Sequence, residues 1–195
     1  MNNIARRSQI SSLLAPIILI GGWTIAEASW HSYEPMRQTI SELAAGDAPT
    51  RTFMTIVFIL TGVCHIVTAS GLNIAHKRGR IMLAIGGAAT IAVAFAPLPS
   101  VLEHSPAHTT FATISFGAMS LWPALAMRTD ITGSWMLSQR GAIIGTLILG
   151  ALSLVFLATW LTESNYAGLA ERMLAGSQAF WPWGLVRDVT KNIKD

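Results

Sequence analysis

Three histidines, His31, His104 and His108, lie with Ser41, Glu42 and Glu103 in two polar segments of an otherwise apolar chain. Imidazoles with a carboxylate are the donor set of a catalytic zinc site, in which Zn²⁺ activates a bound water for hydrolysis. In that chemistry Ser41 serves as hydrogen-bond donor or nucleophile and Glu42 assists proton transfer. His104 and His108 are four apart, but Ser105-Pro106 between them reads as an N-cap followed by proline at the first helical position. His104 then precedes the helix, and a shared helical face is not secured. The alternative is a set of interfacial polar residues, with Ser41 capping a turn. That reading is preferred, because scattered histidines lack the fixed spacing of a metal motif.

A second set of chemistry-bearing residues is charged: Arg37 in the His31–Gly46 stretch, Glu27 shortly before it, and Glu171 and Arg172 near the last apolar run. A charge in the apolar layer costs about 3 kcal/mol on insertion scales unless it is paired or reaches the interface. Neighbours on a helix point about 100° apart, so Glu171 and Arg172 cannot face one partner together. Arg172 is expected to meet Glu27 or Glu42, tying the first loop to the last helix. A carboxylate or phosphate clamp formed by Arg37 and Arg172 is the alternative.

The elements that must position these groups are membrane helices. The chain is 52% hydrophobic and 12% charged, with a mean hydropathy of +0.50, outside the range of a soluble domain. An apolar run of about 20 residues crosses a bilayer as a helix. Breaking the chain at charges and prolines predicts six spans, near 10–29, 52–75, 81–96, 107–127, 141–161 and 168–186. The expected fold is an all-α, polytopic transmembrane bundle forming a single domain over 1–195.

Orientation follows from basic residues, which collect on the cytoplasmic side. With the N-terminus inside, Arg6, Arg7, Lys77, Arg78, Arg80, Arg128, Arg140, Arg187, Lys191 and Lys194 are inner, against Arg37, Arg51 and Arg172 outer. Most acids fall outside; Asp130, Asp188 and Asp195 are inner. The expectation is a multi-pass protein of the cell inner membrane with both termini cytoplasmic. Arg6-Arg7 and Ala26-Glu27-Ala28 imitate a signal peptide, but the run between them is read as a retained span. The basic residues form no stripe, so nucleic acid is excluded as a partner.

Histidine depth constrains cofactors. At 1.5 Å per residue, His65 lies roughly 20 Å below the start of the second span, whereas His31, His104 and His108 are outer and His76 inner. Haem held by two histidines needs them at matching depth, so haem is discounted. Cys64 is the sole cysteine. Small residues at Gly21-Gly22, Gly86-Gly87 and Gly141-x-x-x-Gly145 are expected to mark close helix contacts.

The run Tyr33-Glu34-Pro35-Met36-Arg37-Gln38-Thr39-Ile40-Ser41-Glu42-Leu43, the His108 that opens the fourth span, and Gly168-Leu169-Ala170-Glu171-Arg172 followed by Trp181 resemble the prokaryotic six-span membrane family labelled domain of unknown function 998. That resemblance implies an architecture and no activity. A Ser and several His at one face are also similar to the membrane-embedded metal hydrolases that include alkaline ceramidases, without their seven-span order. Two function classes follow. The preferred one is a non-catalytic bundle binding a lipid, a hydrophobic small molecule or another membrane subunit. The other is a metal-dependent hydrolase at the outer face. A transporter ranks third, as no internal repeat is visible.

Overall fold

The computed structural model describes residues 4–192. Lys194 and Asp195, counted above with the inner face, lie outside the described residues. Within them are six α-helices and no strand: α1 Arg6–Ser29, α2 Arg51–Gly71, α3 Lys77–Phe95, α4 Pro106–Ala126, α5 Gln139–Leu161 and α6 Ala167–Asn192. A single 3₁₀ turn, Glu42–Ala44, interrupts the long α1–α2 loop. Each helix packs on its sequence neighbours and α6 closes the ring against α1, while α4 and α6 touch only marginally across it. The end carrying the α1–α2 loop is called the upper end below.

Four helices, α1, α2, α3 and α5, are long and apolar enough to cross a membrane. α4 and α6 match them in length but carry more polar residues. Those residues face the bundle: His108, Ser115 and Ser120 of α4 and Glu171 and Gln178 of α6 are buried. Gln178 donates to the Phe116 carbonyl at 2.9 Å and the Ser120 hydroxyl at 3.0 Å. Many large apolar side chains are left exposed along the helices, among them Ile17 and Ile25 of α1 and Leu147 and Leu154 of α5. The polarity is thus turned inward and the apolar surface outward, the reverse of a water-soluble bundle.

Helix ends differ from the apolar runs in explicable ways. α2 stops at Gly71, four residues before the end of its run, because residues 72–76 turn back toward α3. α3 begins at Lys77, where the His76 ring accepts the Arg78 N–H; basic residues end an apolar run without ending a helix. α6 runs on to Asn192, and Asp188 in that extension accepts from the Ser134 hydroxyl at 2.6 Å and the Met136 N–H at 3.0 Å. Ser105 accepts the His108 N–H with Pro106 at the first helical position.

Two apolar cores fill the ring. The upper one joins Trp23 and Ala26 to Tyr33, Ile40 and Leu43 of the loop and to Met54 and Phe58 of α2. The lower one centres on Leu72, Leu83, Trp122 and Leu185. Close helix approach depends on some glycines and not on others. A Cβ on Gly79 would fall on the main chain of Ala126, whereas one on Gly21 would meet nothing within 4 Å. Gly79→Ala is therefore expected to lower stability by about 1–3 kcal/mol, since backbone cannot give way. Gly21→Ala is expected to be neutral or to gain up to about 1 kcal/mol of helix propensity. Thermal unfolding of both variants in detergent checks this; a Gly79→Ala that melts with Gly21→Ala removes the packing argument.

Candidate functional site

The α1–α2 loop folds over the upper end of the ring, and α6 holds it there. Arg37 and Met36 present their carbonyls to the N–H groups of Gly168 and Leu169, at 3.1 and 3.0 Å. These are first-turn donors of α6 that have no intrahelical acceptor, so the loop carbonyls cap the helix. The approach is tight: a Cβ at Gly168 would collide with the carbonyl oxygens of Gln38 and Pro35.

One turn further on, Arg172 reaches under the loop. Its guanidinium makes five polar contacts, as many as it has N–H groups. It meets Glu27 Oε1 from Nε at 2.7 Å and from a terminal nitrogen at 2.5 Å. It also donates to the carbonyls of Gln38 (2.9 Å) and Gly168 (2.8 Å) and to the Tyr33 hydroxyl (2.6 Å). The guanidinium carbon lies 5.5 Å from the centroid of the Tyr33 ring. The Arg172 and Glu27 side chains are only 11% and 17% exposed. Burial pushes the Tyr33 hydroxyl above its ordinary value, against the opposing pull of Arg172. It therefore keeps its proton, which it offers to the Gln38 and Thr39 carbonyls at 2.9 and 2.7 Å.

Glu171 turns to a different part of the same loop. It is buried and accepts the Ile40 N–H and, at 3.2 Å, the Ser41 hydroxyl. The two adjacent residues thus do not share a partner, yet both grip the loop. Glu42 closes a turn: Oε1 accepts the Thr39 N–H and hydroxyl, each at 3.0 Å, and Oε2 accepts from Gln38. Arg37 does not join Arg172; it lies at the surface, 3.9 Å from Glu34. The loop's far end is tied to the α3–α4 connection, where Gly46 donates to the Leu98 carbonyl at 2.8 Å and Asp47 accepts the Val101 N–H at 3.0 Å.

The three histidines anticipated as a metal set are not brought together. No group of three His, Cys, Asp or Glu side chains positioned to hold a metal occurs among the described residues. His31 is exposed in the turn after α1. His104 packs edge-on against Trp160 with centroids 5.6 Å apart. His108 points its Nδ1 at the Ala96 carbonyl, 2.9 Å away. Residue depth was readable in the chain, whereas the direction each ring faces was not. Ser41 has a carboxylate and no imidazole as partner, so a Ser–His nucleophile is not assembled either.

Beneath the loop, between α4, α5 and α6, is a cavity of about 290 Å³. Ser41, Glu42, Glu103, His104, His108 and Glu171 line its upper part, and Ala112, Phe116, Phe156, Leu157 and Leu174 its body. Phe116 and Phe156 meet edge to face at 5.6 Å. Gly117 lies on the wall, and a Cβ there would meet nothing within 4 Å. A smaller void of about 70 Å³ continues downward past Glu171 and Ser41 toward Thr61 and His65. This cavity, Tyr33 and Gly168 are what residue-type reasoning missed. Tyr33 and Gly168 sit in the motifs around Arg37 and Arg172, and that adjacency was the available signal.

A fold that is all-helical among the described residues, with four helices long and apolar enough to cross a membrane, apolar side chains exposed on them and a polar loop clamped over one end, is that of a helical membrane protein. Residues 13–188 match the family described as protein of unknown function DUF998, and the chain belongs to that family. No curated protein and no solved structure matches it.

Proposed function

We propose that the chain is a six-span inner-membrane protein, with both termini cytoplasmic, that binds one lipid-like amphiphile or hydrophobic small molecule in the upper cavity without turning it over. The observation carrying this reading is the cavity: an apolar body between α4, α5 and α6, capped by polar side chains under a clamped loop. Its volume is close to the lower end of the range of ligand pockets, about 300–1,000 Å³, which suits a single chain better than a whole two-chain lipid. The marginal contact between α4 and α6 across the ring leaves the room between them, behind α5, that the cavity occupies. The inward polarity of α4 and α6 supports counting both as spans. The distribution of Lys and Arg supports the orientation, which reporter fusions at the loops test.

Gly117→Leu extends a side chain from the cavity wall at a position where its Cβ would meet nothing within 4 Å. It also replaces a helix-interior glycine, which favours the helix by up to about 1 kcal/mol. The expected outcome is a protein that melts no lower than wild type but no longer carries the amphiphile extracted with the wild type, as read by mass spectrometry of the bound lipid fraction. Equal lipid content in both proteins would overturn the reading.

A further inference from the structure

The charged side chains in the upper part of the cavity are all acidic. Glu42, Glu103 and Glu171 contribute carboxylates, and no Lys or Arg is among its lining residues. The nearest cations are committed elsewhere: every N–H of Arg172 has a partner under the loop, and Arg37 lies outside the cavity beside Glu34. His108 adds an independent feature. The Ala96 carbonyl can only accept, so Nδ1 of the neutral ring carries the proton and Nε2 is an acceptor. That Nε2 is buried without a hydrogen-bond partner, on a residue 5% exposed that lines the cavity. An unmet acceptor at the acidic head of a pocket with an apolar body calls for a ligand that both donates and is positive.

We propose that the occupant of the upper cavity is an amphiphile with a primary ammonium head, its N–H groups meeting the carboxylates and His108 Nε2 and its chain lying along Phe116 and Phe156. This rests on the amphiphile-binding reading above and adds charge and donor capacity to it. A carboxylate head would face like charges. A trimethylammonium head would satisfy the charge and leave Nε2 unmet, and an alcohol would do the opposite.

The test uses the purified full chain in maltoside micelles at pH 7, where an alkylamine is protonated. The shift of the unfolding midpoint is titrated with octylamine, octyltrimethylammonium, octanol and octanoate, for wild type and for Gly117→Leu. The binding signal is the difference between the two proteins. The expected result is octylamine about tenfold tighter than octanol and octanoate weakest, the preference typical of a hydrogen bond to a charged group. In Glu103→Gln the preference for octylamine over octanol is expected to fall about threefold. Octanol or octanoate binding as tightly as octylamine, with Gly117→Leu abolishing all of it, overturns the ammonium assignment and leaves the amphiphile reading standing. No difference between wild type and Gly117→Leu with any of the four overturns both.

Discussion

Arg172→Gln is expected to destabilise the protein by about 3–5 kcal/mol, the range for breaking a buried ion pair from one side. The loss has two sources. Glu27 keeps its charge in a side chain that is 17% exposed and loses its cationic partner. The carbonyls of Gln38 and Gly168 and the hydroxyl of Tyr33 lose donors at the same time. Glu27→Gln is expected to cost less, because Arg172 retains its three other partners. A double-mutant cycle in thermal unfolding should give a coupling of at least about 1 kcal/mol between positions 27 and 172. Exchanging the two charges should restore the protein only in part, since a glutamate at 172 would set a carboxylate against two carbonyl oxygens. Additive single effects, or an Arg172→Gln protein that melts with the wild type, would show that the loop is held by its apolar contacts and not by this arginine.

That arginine also shows how far the chain could be read in advance. An ionisable residue within an apolar run needs a partner, and the partner must lie at matching depth, which narrowed the choices for Arg172 to a few acids. The carbonyls it also engages could not be named, because they depend on the path of an irregular loop. Periodicity fixes helices and says nothing about a segment such as Ile40–Ala48. The same limit applied to the histidines. Depth along a helix follows from counting residues, but azimuth does not, so His104 and His108 could be placed at one level and still face Trp160 and Ala96 instead of each other. Helix ends were displaced where basic residues stop an apolar run, as at Lys77, or where an amphipathic extension carries a helix beyond it, as after Val186. Polar residues in α4 and α6 weakened their hydropathy for a structural reason, since those side chains line the interior and the cavity.

Glu171→Leu is expected to be the next most damaging change, and comparison with Glu171→Gln separates charge from hydrogen bonding. Leucine leaves the Ile40 N–H and the Ser41 hydroxyl without an acceptor, at roughly 1–3 kcal/mol for each group that stays buried. It also removes a carboxylate that is 3% exposed, whose desolvation opposes folding. The two effects partly offset, which places Glu171→Leu below Arg172→Gln in severity, at about 2–4 kcal/mol. Glutamine keeps Oε1 for the Ile40 N–H, and the Ser41 hydroxyl can rotate to accept from the new amide. Glu171→Gln is therefore expected to stay within about 1 kcal/mol of wild type in thermal unfolding. An amide variant as unstable as the leucine variant would mean that the negative charge itself holds the loop, through Arg172 one residue away. Neutral stability in both would mean that the Ile40–Ser41 turn is set by the loop's own contacts, with Tyr33, Leu43 and the Glu42 cap sufficient to close it.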